Sequence, residues 1–333
     1  MLLWPDAIRV AAIIGVVTIH SFRLPPLTSD WLHFDVLINW LWFISVKTSV
    51  PLFLLLSGAL LLGKIETDRV FYSKRARRVL VPWLLWAVIF LCSKYQAELT
   101  SIPHALKTLG KILSADFTFL PALFCLYMLM PFMTVLVSRL SVSKRWQLIG
   151  LWFLGVSLLP YLRNSMAFPA AVDNGLVRQT INYSGYILLG YELRQLLERK
   201  LRYPHSLTSA LVVFCASVVG TFAIQLRQSA NSHLYLSYVA PLIVTSSLAA
   251  FCAIAQIAQR LEHHSTNTLI RKFSTASFGV FFVHPLVLLY VRPVILSPDR
   301  ITQNVVVALQ TLVVSFTIIL LLQQIPWLRN KIS

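Results

Sequence analysis

An α-helix needs about 20 mainly apolar residues to cross the hydrocarbon core of a bilayer. This chain of 333 residues offers ten such runs. They fall approximately at 5–24, 37–63, 78–97, 117–138, 145–162, 179–197, 206–226, 235–259, 274–297 and 304–325. The second run is long and contains Lys47 and Pro51, so it is expected to be tilted or broken. The fifth is short. Hydrophobic residues make up 57% of the chain and charged residues 12%, against a soluble norm of about 25% charged. A soluble fold of this length would lack the polar surface to cover its core. The expected fold is all-α: a polytopic transmembrane bundle of about ten helices, with backbone polar groups satisfied inside each helix. No soluble portion can be cut away and no internal repeat is visible, so residues 1–333 read as one integral membrane domain. The first run has no basic stretch before it, carries Arg9 inside it and lacks a small-residue cleavage site. It is expected to be retained as a helix rather than removed as a signal.

The net charge is +17, from 29 Lys and Arg against 12 Asp and Glu. In a soluble protein that excess would suggest nucleic acid. Here the basic residues lie between apolar runs, which favours a bilayer partner and no nucleic acid. With the N-terminus in the cytoplasm, the cytoplasmic loops collect twice as many Lys and Arg as the opposite loops. Both termini are therefore predicted to be cytoplasmic. Cys92, Cys125, Cys215 and Cys252 each sit in apolar sequence without a CxxC pair, so neither a disulfide nor a metal site is expected.

Ionisable residues within a spanning helix are expensive and mark functional candidates. The first run holds Asp6, Arg9 and His20. Eleven residues separate Arg9 from His20, almost three whole turns, so both side chains leave one face about 16 Å apart along the axis. Arg75 and Arg78 lie three apart in Lys74-Arg75-Ala76-Arg77-Arg78, ahead of Pro82. On an α-helix they share a face and suit a phosphate through charge-assisted bonds. Contact with anionic lipid is the plainer use of such a cluster. Val50-Pro51-Leu52-Phe53 runs into Ser57-Gly58, a pattern that also serves close helix packing. Ser277 to Pro285 brings a second intramembrane histidine, His284, directly before a proline.

Taken together, these segments resemble the acyltransferase-3 family of integral membrane acyltransferases. The resemblance rests on Asp6, Arg9, Ala12 and His20; on Pro51, Phe53, Ser57 and Gly58; and on Arg75, Arg78 and Pro82. It continues through Tyr127 and Pro131, Gly185 and Gly190, and Ser277, Gly279 and His284, and so covers almost the whole chain. The chain departs from the family at Phe281, where the pattern has Tyr, and at Ala59, where it has an aromatic. It departs again at Asp116-Phe117-Thr118-Phe119, where the family often has His-Leu-Trp-Phe. The absence of an appended soluble domain is similar to the family's short members.

The resemblance implies an O-acyltransferase, most simply an O-acetyltransferase, in a bacterial cytoplasmic (inner) membrane. It implies acyl-CoA as donor substrate, no permanently bound cofactor, and a carbohydrate or lipid-linked glycan as acceptor. His20 is the implied base or acyl relay, with Arg9 beside it in the reaction. Arg75 and Arg78 are implied donor-binding residues, and Asp6, Ser57, Tyr127, Ser277 and His284 are further candidates. The chemistry suits the residues: histidine can take a hydroxyl proton at neutral pH, and coenzyme A phosphates need cations. The alternative from another class is a secondary transporter or glycolipid flippase. Proton-coupled transport usually places acids within helices, and here Asp6 and Glu192 are the innermost.

Overall fold

The computed structural model describes residues 2–27, 32–64, 66–165, 175–198, 206–227, 236–261, 266–292 and 301–325. In chain order the helices are α1 (Trp4–Ser21), α2 (Phe34–Val46), α3 (Ser49–Leu61), α4 (Asp68–Arg75), α5 (Val81–Ser93), α6 (Ile102–Lys111) and α7 (Phe119–Arg139). They continue as α8 (Val142–Trp152), α9 (Leu159–Ser165), α10 (Leu176–Glu198), α11 (Ser206–Arg227), α12 (Pro241–Arg260), α13 (Thr266–Val291) and α14 (Ile301–Leu322). No strand occurs among the described residues. The molecule is an all-α helical bundle, and seven of its described helical segments are long and apolar enough to cross a membrane.

The predicted runs and the helices coincide, with differences that have local causes. The second run breaks at Lys47, between α2 and α3. Pro51 has no N–H to offer the Lys47 carbonyl one turn earlier, so continuous α-helical bonding fails there. The third run begins earlier than expected, at Asp68, because α4 leads into α5 through a π-helical turn at Ala76–Leu80. That turn is closed by the Val81 N–H bonding to the Ala76 carbonyl. Residues 102–111, lying between two predicted runs, also form a helix, capped by the Ser101 hydroxyl. Ten residues rise only about 15 Å, too short to span; Ile102 and Leu106 are exposed while Ala105 and Leu109 pack on the core. The final residues of the run at 274–297, from 293 on, lie outside the described residues.

Helix α1 is central. It packs against α2, α3, α12, α13 and α14, which explains why a helix carrying Asp6, Arg9 and His20 is tolerated: protein, not lipid, surrounds most of it. Gly15 lets α1 approach α3, where an added Cβ would lie 2.8 Å from the Ser49 Cβ. The α3–α10 crossing is closer still. A Cβ at Gly58 would overlap the Ile187 carbonyl, and one at Gly190 would overlap the Leu55 carbonyl. One large buried cluster runs through these helices, and a smaller one joins Trp40 and Ile44 to Val218, Phe222, Ala240 and Ile243.

Candidate active site

Two polar clamps fasten α1 to α13, and between them they hold four of the candidate residues. Near the start of α1, the Arg9 Nη1 donates to the Asp6 Oδ1 at 3.1 Å and lies 3.4 Å from the Ser274 Oγ. The Ser274 hydroxyl donates to the same Asp6 oxygen at 2.7 Å. At the other end, the His20 Nδ1 and the His284 Nε2 are 2.8 Å apart. The clamps join positions 9 and 274, then 20 and 284, so α1 and α13 run parallel and advance about three turns together. Arg9 and His20 thus leave one face of α1, as their spacing predicts.

The histidine pair has a defined proton order. The His284 Nδ1 is 3.1 Å from the Val280 carbonyl oxygen. A carbonyl only accepts, so this nitrogen carries the proton of the neutral ring and Nε2 is left as an acceptor. The His20 Nδ1 therefore donates to it, and the His20 Nε2 keeps its lone pair. Ring centroids 5.1 Å apart with planes inclined by 5° fit an in-plane N–H···N bond rather than face-to-face stacking. His284 is 1% exposed, whereas His20 retains accessible surface.

A second group lies toward the Arg9 end. The Ser57 and Tyr127 hydroxyls meet at 3.2 Å. Arg75 is 5% exposed and stacks on Phe71, its guanidinium carbon 4.5 Å from the ring centroid. The charges of Arg75 and Arg9 both act on the Tyr127 hydroxyl, which ties α1, α3, α4 and α7 into one electropositive region. The Arg75 Nε is buried with no hydrogen-bond partner. An orphaned guanidinium N–H in such a region fits an incoming phosphate oxygen. Glu66, whose charge also reaches Arg75, is held below the usual carboxylate range chiefly by its hydrogen bond from the Lys74 Nζ.

The shared helix face expected of Arg75 and Arg78 is corrected here. Arg78 does not share the buried face of Arg75; it is exposed. The π-helical turn that begins at Ala76 is wider than an α-turn and rotates Arg78 outward. The Ser277 hydroxyl donates to the Ser274 carbonyl at 2.7 Å within α13. Glu192, one of the two innermost acids, is paired with Arg145, which donates as well to the Leu140 carbonyl at 2.8 Å. That pairing makes it a structural tie between α8 and α10. Ser274 and Arg292 were missed as site residues. Ser274 precedes Ser277 by three, a spacing that puts a second hydroxyl near one face, and this was the available signal. Arg292 donates to the His20 carbonyl from just beyond α13, and nothing local distinguishes it from any loop cation.

A family model for an acyltransferase domain matches residues 2–323, nearly the whole chain. Comparison with curated proteins and with solved structures gave no match.

Proposed function

The chain belongs to the acyltransferase-3 family, and from that membership we propose that it transfers an acyl group, most simply acetyl, from acyl-CoA to a hydroxyl of a cell-surface or lipid-linked carbohydrate. It is an integral membrane acyltransferase, so it works on an acyl donor and an acceptor within a lipid bilayer. The proposal extends to residues 1–333 acting as one unit in a bacterial cytoplasmic membrane, with both termini cytoplasmic.

The observation that carries the reading is the chain of bonds from the Val280 carbonyl through His284 to His20. It leaves the His20 Nε2 unprotonated on a ring that retains accessible surface, the state a general base requires. In the proposed step the Nε2 takes the proton of the acceptor hydroxyl as its oxygen attacks the thioester carbonyl. The new C–O bond forms, the C–S bond breaks, and the imidazolium returns the proton to the departing thiolate. His284 does not touch the reacting atoms; it positions His20 and fixes its tautomer. Arg75 and Arg9 are assigned to the donor's phosphates. The separation of Arg9 from His20, about 16 Å along α1, is one that an extended pantetheine arm bridges.

The test is acyl transfer by purified protein from acetyl-CoA to a panel of lipid-linked glycans, with His20→Ala alongside. The variant should insert to the parent level and transfer nothing. Near-normal turnover by it would remove His20 from the chemistry.

A further inference from the structure

The accessible end of His20 is ringed by positive charge. Arg292 donates to the His20 carbonyl, and its Nε is buried without a partner. The charges of Arg292 and Lys47 both act on the His20 ring. Arg23, three residues beyond His20, acts on Arg292 in turn. Lys47 sits at the break between α2 and α3, its ammonium 4.8 Å from the Tyr238 ring centroid and 5.1 Å from that of Phe43. It is held by aromatic faces inside a membrane-length segment, Phe34–Leu61, so it is not simply reaching for headgroups.

None of Arg23, Lys47 and Arg292 is ion-paired among the described residues. Four other cations do have a carboxylate partner: Arg9 with Asp6, Lys74 with Glu66, Arg145 with Glu192 and Arg194 with Glu198. Asp35, a described carboxylate at the His20 end, is engaged with the Ile301 backbone N–H at 3.2 Å. Arg23 and Arg292 repel one another, and Lys47 adds a third positive charge acting on the His20 ring; such repulsion is stronger away from bulk water. An anion supplied from outside relieves that repulsion and gives the orphaned Arg292 Nε an acceptor.

Resting on the reading of His20 as the base, we propose that Arg23, Lys47 and Arg292 form the acceptor subsite, and that the acceptor carries an anionic group close to the hydroxyl that is acylated. The shared chemistry is a cluster of anionic oxygens. Its two sources are the diphosphate of a lipid carrier and the carboxylate of an acidic sugar. The protein then has two cationic regions, one beside each end of α1: Arg9 with Arg75 of α4 for the donor, and Arg23, Lys47 and Arg292 near His20 for the acceptor.

The test reads the site without needing turnover. Full-length protein in lipid nanodiscs is treated with diethyl pyrocarbonate, and modification of His20 is followed by mass spectrometry. The probes are farnesyl diphosphate, a glucuronate-containing disaccharide, a neutral disaccharide of the same size, and coenzyme A. At least one anionic probe should slow His20 modification while the neutral disaccharide leaves it unchanged. The half-protecting concentration should rise about tenfold in Lys47→Gln, the factor one charge-assisted contact of about 1.4 kcal/mol represents. Arg23→Gln, at an exposed position, gives the same reading if Lys47→Gln does not insert. Protection by the diphosphate assigns the lipid carrier, and protection by the glucuronate assigns the sugar. Equal protection by charged and neutral probes, or indifference to both substitutions, overturns the proposal. So does Lys47-dependent protection by coenzyme A alone, which returns these cations to the donor. A parent protein that transfers no acyl group would count against the role given to His20 and leave this binding result standing.

Discussion

Replacing His284 separates orientation of the base from its chemistry. His284 is buried, and the proposed mechanism uses it only to hold the Nδ1–H of His20 at 2.8 Å. In His284→Leu that N–H faces an apolar side chain and loses its acceptor. An unsatisfied donor costs about 1–3 kcal/mol, which here is the loss of the productive ring orientation, so kcat should fall about 5- to 160-fold. His284→Gln puts an amide oxygen near the former Nε2 position and should recover part of that loss. KM for acyl-CoA should stay at the parent value in both, because Arg9 lies about three turns away along α1 and Arg75 is on α4. Steady-state kinetics on purified protein, with thermal midpoints measured in parallel, checks this. A Leu variant with parent turnover would refute the orienting role. Gln and Leu variants equally impaired, each with a lowered midpoint, would reduce His284 to a packing residue.

Arg75→Lys should weaken acyl-CoA binding about tenfold, since Lys lacks the planar fork that can use the orphaned Nε–H, whereas Arg78→Lys, at an exposed position, should bind as the parent does; equal effects in a titration with acyl-CoA would refute the assignment. Gly190→Ala should destabilise the protein by about 1–3 kcal/mol, because the new Cβ meets the Leu55 carbonyl, while Gly150→Ala, with open space around it, should not lower the thermal midpoint. In a cysteine-free background, single cysteines in 64–76 should be shielded from an impermeant thiol reagent in intact cells and those in 102–112 should react; the reverse pattern overturns the orientation. If that orientation holds yet acceptor is modified only on the cytoplasmic face, delivery of the acyl group across the membrane is ruled out.

Hydropathy is a local property, so the helical architecture was open to reading one segment at a time. The Arg9–His20 register was equally legible, because it needs only the pitch and rise of one continuous helix. Pro51 signalled a tilted or broken second run for the same reason, the missing N–H acting within one turn, and the structure places the break at Lys47. The proton order at His20 depends on His284, 264 positions away, and on α13 lying parallel to α1 at a matching height. That pairing follows from packing around α1, where Ser274 also completes the Asp6–Arg9 clamp. The difference between Arg75 and Arg78 also came from the folded chain. Their spacing implies one face on an α-helix, but the turn between them is π-helical, so one guanidinium is buried and the other exposed. The sequence by itself determined which segments form apolar helices and which ionisable groups lie in them, because hydropathy is set residue by residue within each helix. Only the tertiary structure decided which of those groups meet, because hydrogen bonds of about 3 Å between distant helices exist only once the helices are packed side by side.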